Sequence, residues 1–169
     1  MGIRKKHSIG FSLLEVLVAF VILAIGILGV GKMLLIAHKS NSSNFARQQA
    51  VQSAYDIMDR IRSNRQAGIS GNYNGGNLVN AGAPAHPASP STNCDVSSCS
   101  SSALAAYDTW QWLTTNVSQL PNGCGSVNTA VNGTNTVVTV IVQWDDSAAV
   151  GLIGGVASGI NQFTFQSAL

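Results

Sequence analysis

The side chains able to do acid–base, metal or nucleophilic chemistry are few in this chain and poorly placed to cooperate. Histidine occurs as His7, His38 and His86. The first lies near the amino end, the second in a helical pattern and the third in a proline-rich stretch, so nothing in the spacing gathers them into a cluster. Asp145 and Asp146 are adjacent at the end of a strand-like run. Neighbours on a strand point to opposite faces, so these carboxylates cannot face each other as a catalytic pair. At a strand end they suit turn hydrogen bonds, and no other signal supports calcium there. The glycines of 66–92 lack phosphate-loop spacing followed by Lys-Ser or Lys-Thr. Asn41, Asn116 and Asn132 open Asn-x-Ser/Thr triplets that we read as chance. No enzyme activity, cofactor or metal is expected.

The cysteines are Cys94, Cys99 and Cys124. Zinc would need a fourth ligand, and His86 is a poor one. Three cysteines cannot all pair within one chain. The expected arrangement is a Cys94–Cys99 bridge closing a small loop, with Cys124 free and buried. Pairing of Cys124 with one of the other two is the alternative. Tyr107, Trp110 and Trp112 read as core and rim residues rather than a carbohydrate platform.

Glu15 is different. From Phe11 to Gly31 the chain reads FSLLEVLVAFVILAIGILGVG, apolar but for Ser12 and Glu15. Such a run spans about 30 Å as a helix, the thickness of a bilayer core. Arg4, Lys5 and Lys6 precede it and should stay cytoplasmic, placing the rest of the chain outside. An ordinary secretory signal has a shorter apolar core followed by a small-residue cleavage site, which is missing here. A carboxylate inside a membrane segment costs several kcal/mol without a partner. No cation lies within two helical turns of Glu15, so the partner must come from another chain or from a new amino terminus.

The string Gly10-Phe11-Ser12-Leu13-Leu14-Glu15, behind a basic leader and opening a long apolar helix, resembles the amino-terminal signature of type IV pilins and pseudopilins. That resemblance implies cleavage by a prepilin peptidase between Gly10 and Phe11, and N-methylation of Phe11. The new Phe11 ammonium of one subunit could then meet Glu15 of its neighbour. A dry pair of this kind acts more as a register lock than as a large source of stability. Removing the leader leaves six cations against seven acids.

These residues need a scaffold. No proline precedes Pro84, and Phe11 to about Asn64 suits one long helix, with a weak-helix stretch over 40–44. Ala50, Val51, Ala54, Met58 and Ile61 form a helical stripe expected to be the seam for a globular head. Arg47, Gln48, Gln52, Asp59 and Arg62 fill the other faces. Gly26, Gly29 and Gly31 suit close helix packing in the membrane or a segment that can stretch. Residues 66–92 read as a loop-like linker rich in Gly and Pro. A short helix is expected within Ser100–Ser118, capped by Ser100–Ser102, with Leu104, Tyr107, Trp110 or Gln111, and Leu113 inward. Strands are expected at Ser126–Val131, Thr136–Trp144 and Asn161–Gln166, with Asn132-Gly133 turning the first hairpin.

The expected class is α+β, the type IV pilin fold: a long amino-terminal helix, transmembrane in its first half, packed on a head with a three- or four-stranded antiparallel sheet. The divisions are 1–10 leader, 11–31 membrane and assembly helix, 32–65 stalk, and 66–169 periplasmic head. All nine Lys and Arg lie at or before Arg65, leaving 104 residues with four acids and no cation but histidine. A nucleic-acid partner needs clustered cations, so none is expected.

The head carries a second resemblance. Cys94 and Cys99, Leu104-Ala105-Ala106-Tyr107-Asp108, Trp112, Leu120-Pro121-Asn122-Gly123 and Gln143-Trp144-Asp145-Asp146 look like the PilV-type minor pilins, the type IV pilus modification proteins. Gln49, Ala54-Tyr55, Met58 and Ile61-Arg62-Ser63-Asn64-Arg65 support this. It implies a low-copy subunit helping to initiate pilus assembly with other minor pilins and the major pilin. The same resemblance implies contact with inner-membrane lipid and the inner-membrane assembly platform. Rivals are a minor pseudopilin of a type II secretion system and an adhesive or DNA-uptake tip pilin. Cys124 departs from the pattern.

Overall fold

A computed structural model describes residues 12–78, 87–147 and 159–169. The chain forms two compact units, Met1–His38 and Lys39–Leu169. Helix α1, Leu13–Ser63, contributes residues to both and is uninterrupted through the glycines and through 40–44. In the first unit its residues are exposed, and an added Cβ at Gly26, Gly29 or Gly31 would meet nothing within 4 Å. Among the described residues α1 is the one helix long and apolar enough to cross a membrane.

In the second unit α1 supplies one wall of the core. Its buried residues are Ala46, Ala50, Ser53, Ala54, Ile57, Met58 and Ile61. The expected stripe is therefore present but turned slightly: Val51 is only half-buried and lies on the flank, while Ala46, Ser53 and Ile57 fill the seam. Arg47, Gln48, Gln52, Asp59 and Arg62 are exposed, as the pattern requires.

The stretch expected to be loop-like contains two elements. Helix α2, Arg65–Ile69, follows α1 directly, and strand β1, Gly75–Asn77, joins the sheet. A three-residue Gly-Gly-Asn strand has no side-chain alternation, so sequence could not reveal it. Its partners Val127, Ser126 and Gly125 supply the pairing.

Helix α3, Ser101–Gln111, continues into a π-helical turn, Trp112–Asn116, and a 3-10 turn, Val117–Gln119. Ser100 is the N-cap, its hydroxyl accepting from the Ala103 amide at 3.3 Å. The buried face differs from expectation: Ala105, Tyr107, Asp108, Trp112 and Leu113 point inward, with Trp110 and Gln111 half-buried. The buried residue that defeats the hydrophobic pattern is Asp108, an acid on the core face.

The sheet is four-stranded and antiparallel in the order β1-β2-β3-β4, where β2 is Cys124–Asn132, β3 is Asn135–Asp145 and β4 is Ile160–Ala168. The first hairpin turns one residue later than expected. Asn132 still pairs with Asn135, leaving Gly133 and Thr134 as the loop. Gly133 has φ +64°, and a positive φ at the first of two loop positions is a type II′ feature that favours glycine there. Alternation on β3 sends Val138, Val140, Val142 and Trp144 into the core that α1 also lines. Phe163 and Phe165 of β4 share that face and pack against the same core.

Candidate functional site

Three groups of residues stand out, and the first lies where α1 begins. Ser12 caps the helix: the Glu15 amide donates to its carbonyl at 3.1 Å and to its hydroxyl at 3.3 Å. Ser12-Leu13-Leu14-Glu15 thus has capping-box spacing. Glu15 sits in the first turn, where a negative charge is favoured by the helix dipole. Its neighbours Leu13, Leu14, Val16, Leu17 and Val18 are exposed apolar groups. Among the described residues no basic side chain pairs with Glu15. The expected cleavage site, Gly10 and Phe11, lies outside the described residues.

The second group fastens α1 to α3, and sequence reasoning missed it. Asp108 accepts from the Tyr73 hydroxyl at 2.8 Å and from Arg60 Nη1 at 3.3 Å. Arg60 also donates through Nε to Asp56 at 3.0 Å and through Nη1 to Gln111 at 2.5 Å. Asn64 donates to the Ser101 carbonyl at 2.7 Å and to the Tyr73 hydroxyl at 3.3 Å. Asn116 donates to Asp56 at 2.9 Å. Burial, reinforced by the hydrogen bond to the Asp108 carboxylate, raises the Tyr73 pKa well above that of an ordinary phenol. One signal was available: Asp56 and Arg60 stand one helical turn apart, the spacing of a helical ion pair.

The third group surrounds the disulfide. Cys94 and Cys99 are bonded, and Cys124 is free and buried, so the expected pairing is the one present and the alternative pairing is not. Within the closed loop Asp95 accepts from the Tyr107 hydroxyl at 2.5 Å, tying the loop to α3. That hydrogen bond is the main reason the Tyr107 pKa is raised.

The paired aspartates serve turns and packing. Asp145 accepts from the Ser147 amide at 2.9 Å and from Asn122 at 3.1 Å, and the Ser147 contacts lower its pKa. Asp146 accepts from Ser43 of α1 and from Asn161 of β4. Among the described residues no group of three His, Cys, Asp or Glu could hold a metal. His86 falls outside the described residues.

A membrane-capable helix that opens on a Ser12 cap, carries Glu15 in its first turn and packs its other half on an antiparallel sheet is a pilin-like α+β architecture. Residues 5–31 match the family described as "Prokaryotic N-terminal methylation motif". The match supports a type IV pilin-like or pseudopilin-like protein, a structural rather than enzymatic class. It implies processing by a prepilin peptidase in an assembly context and is consistent with membrane anchoring. No curated protein and no solved structure matches the chain.

Proposed function

We propose that the protein is a PilV-type minor pilin, a structural subunit that helps initiate type IV pilus assembly with other minor pilins and the major pilin. The observation that supports the pilin-like core of this reading is Glu15, an acid in the first turn of an apolar helix with no basic partner among the described residues, inside the matched methylation motif; the PilV-type part rests on the resemblance of the head motifs. On this reading the leader 1–10 is removed after Gly10 and Phe11 becomes the methylated terminus. Residues 11–31 hold the subunit in the inner membrane, 32–65 form the stalk, and 66–169 form the periplasmic head. During assembly, Glu15 of one subunit receives the Phe11 ammonium of the next. The platform in the inner membrane draws the subunit from the lipid into the filament.

A deletion strain scored for surface pili and for protein secretion tests the proposal. Reduced piliation with intact secretion is the expected result. Lost secretion with normal pili would select a pseudopilin of a type II secretion system instead. DNA uptake is disfavoured by a head without Lys or Arg, and a pull-down with surface glycans would test adhesion.

A further inference from the structure

The two edges of the sheet are built differently. At one, β1 covers only Gly125–Val127 of β2. Just beyond it the Thr129 amide is taken by the Asn74 side chain at 2.7 Å, which stops further pairing. At the other, β4 offers nine residues, INQFTFQSA, with no charge and no proline. The Leu169 amide donates to Thr136 at 2.9 Å on β3. Antiparallel alternation then turns the backbone groups of Asn161, Phe163, Phe165 and Ser167 toward β3, and those of Gln162, Thr164 and Gln166 outward. Those three residues are exposed, and no group among the described residues bonds their outward amides and carbonyls. Natural edges are normally blunted by lysine, proline, bulges or shortness. This one has none of these devices.

Its sequence is also a palindrome. Gln162-Phe163-Thr164-Phe165-Gln166 reads the same in both directions. We propose that the β4 edge pairs antiparallel with β4 of a second copy, about a two-fold axis at Thr164. In that register Thr164 meets its own copy through two outward hydrogen bonds. Phe163 lies opposite Phe165 twice, on the core side of the sheet, and Gln162 lies opposite Gln166 on the other side. Aromatic and Thr–Thr cross-strand pairs are favourable ones. The charges also fit. Ser167 accepts from Arg62 at 3.1 Å, and Asn161 donates to Asp146 at 3.0 Å. The register sets Ser167 of one copy opposite Asn161 of the other, so a cation and a carboxylate come to the same end of the seam, once at each end. A two-fold contact of this kind uses one patch on both partners and closes on itself.

The axis reverses the direction of the 39–63 helix between the copies. Resting on the pilin reading, the contact therefore joins heads presented by different filaments or opposed membranes, and not neighbours in one filament. It is a homotypic contact in trans.

The test uses the full mature chain in detergent, with single cysteines placed on β4 and mild oxidation. Thr164→Cys should give a covalent dimer, because the axis brings its two copies together. Gln162→Cys should give little, since its own copy lies about 14 Å away along the strand, beyond the reach of a disulfide. Thr164→Lys should leave far-UV circular dichroism unchanged and shift the protein to monomer. Equal crosslinking at 162 and 164, no crosslink at 164 in a folded chain, or crosslinking in cells only to a different subunit would each overturn the proposal. Leader processing and piliation test the pilin reading separately, and either result there leaves the crosslinking readout intact.

Discussion

The Trp112 indole nitrogen donates to both the carbonyl and the hydroxyl of Ser53, at 2.9 and 2.8 Å. Trp112 is fully buried, and Gly125 of β2 lies against its ring: a Cβ on Gly125 would come within 2.5 Å of the Trp112 ring. Gly125→Ala should therefore destabilise the protein by about 1–3 kcal/mol through overpacking. Trp112→Phe removes the six-membered ring that would clash and should relieve much of that penalty. A double-mutant cycle by chemical denaturation measures the coupling. Additive effects would mean that the two residues do not share this contact.

Glu15→Ala should leave leader removal intact and strongly reduce recovery of the subunit in sheared filaments. Mass spectrometry of the processed chain and immunoblotting of the filament fraction report the two steps separately. Normal incorporation would remove Glu15 from the assembly mechanism.

Asp108→Ala should cost about 2–4 kcal/mol, because it strips a buried acceptor from Tyr73 and one of three partners from Arg60. Tyr73→Phe should cost about 1.5–3 kcal/mol, since it removes a hydrogen bond to a carboxylate and the one accepted from Asn64, but less than Asp108→Ala, which also takes a partner from Arg60. Thermal melts of the two variants check the order. A larger loss for Tyr73→Phe would show that the hydroxyl's contact with Asn64, more than the Asp108 carboxylate, holds this region together.

Tyr73 and Tyr107 both have folded pKa values raised above the unfolded phenol value of about 10. Their protonated forms are favoured by folding, so this stabilisation is fully present below about pH 10 and is lost as pH rises through the folded values. Ultraviolet titration should show late phenolate formation that diminishes in Tyr73→Phe. Loss of stability already at neutral pH would contradict the assignment.

Reducing the Cys94–Cys99 bond frees a short loop. Chain entropy puts its contribution at about 2 kcal/mol. The Asp95–Tyr107 hydrogen bond should loosen with it, giving faster amide exchange around 94–103. Cys99→Ser should reproduce both effects, while Cys124→Ser should leave the loop unchanged.

The positions most legible in sequence were those governed by local rules. Hydrophobicity marked the α1 membrane run, β-branched density marked β3, and the Ser100 cap marked the start of α3. The central strands were found to within about two residues. What escaped depended on tertiary partners. β1 exists because β2 offers it hydrogen bonds. The inward face of α3 was misjudged because Asp108, a polar residue, is buried by virtue of Tyr73 and Arg60. The hairpin loop moved by one residue because glycine suits the first loop position of a type II′ turn. At the amino terminus the acid and the apolar run were plain, whereas a partner for Glu15 is not to be found within its own described chain.

The contacts of α1, and of Asn64 just past its end, with the head run from Ser43 to Asn64, roughly six turns of helix. A pull along the helix axis would load them together, so that hydrophobic seam, indole clamp and Arg60 network yield as one unit and not in sequence. Mechanical strength in such a subunit would then scale with the length of the seam, and shortening it by a turn would weaken the tether more than deleting any single bond.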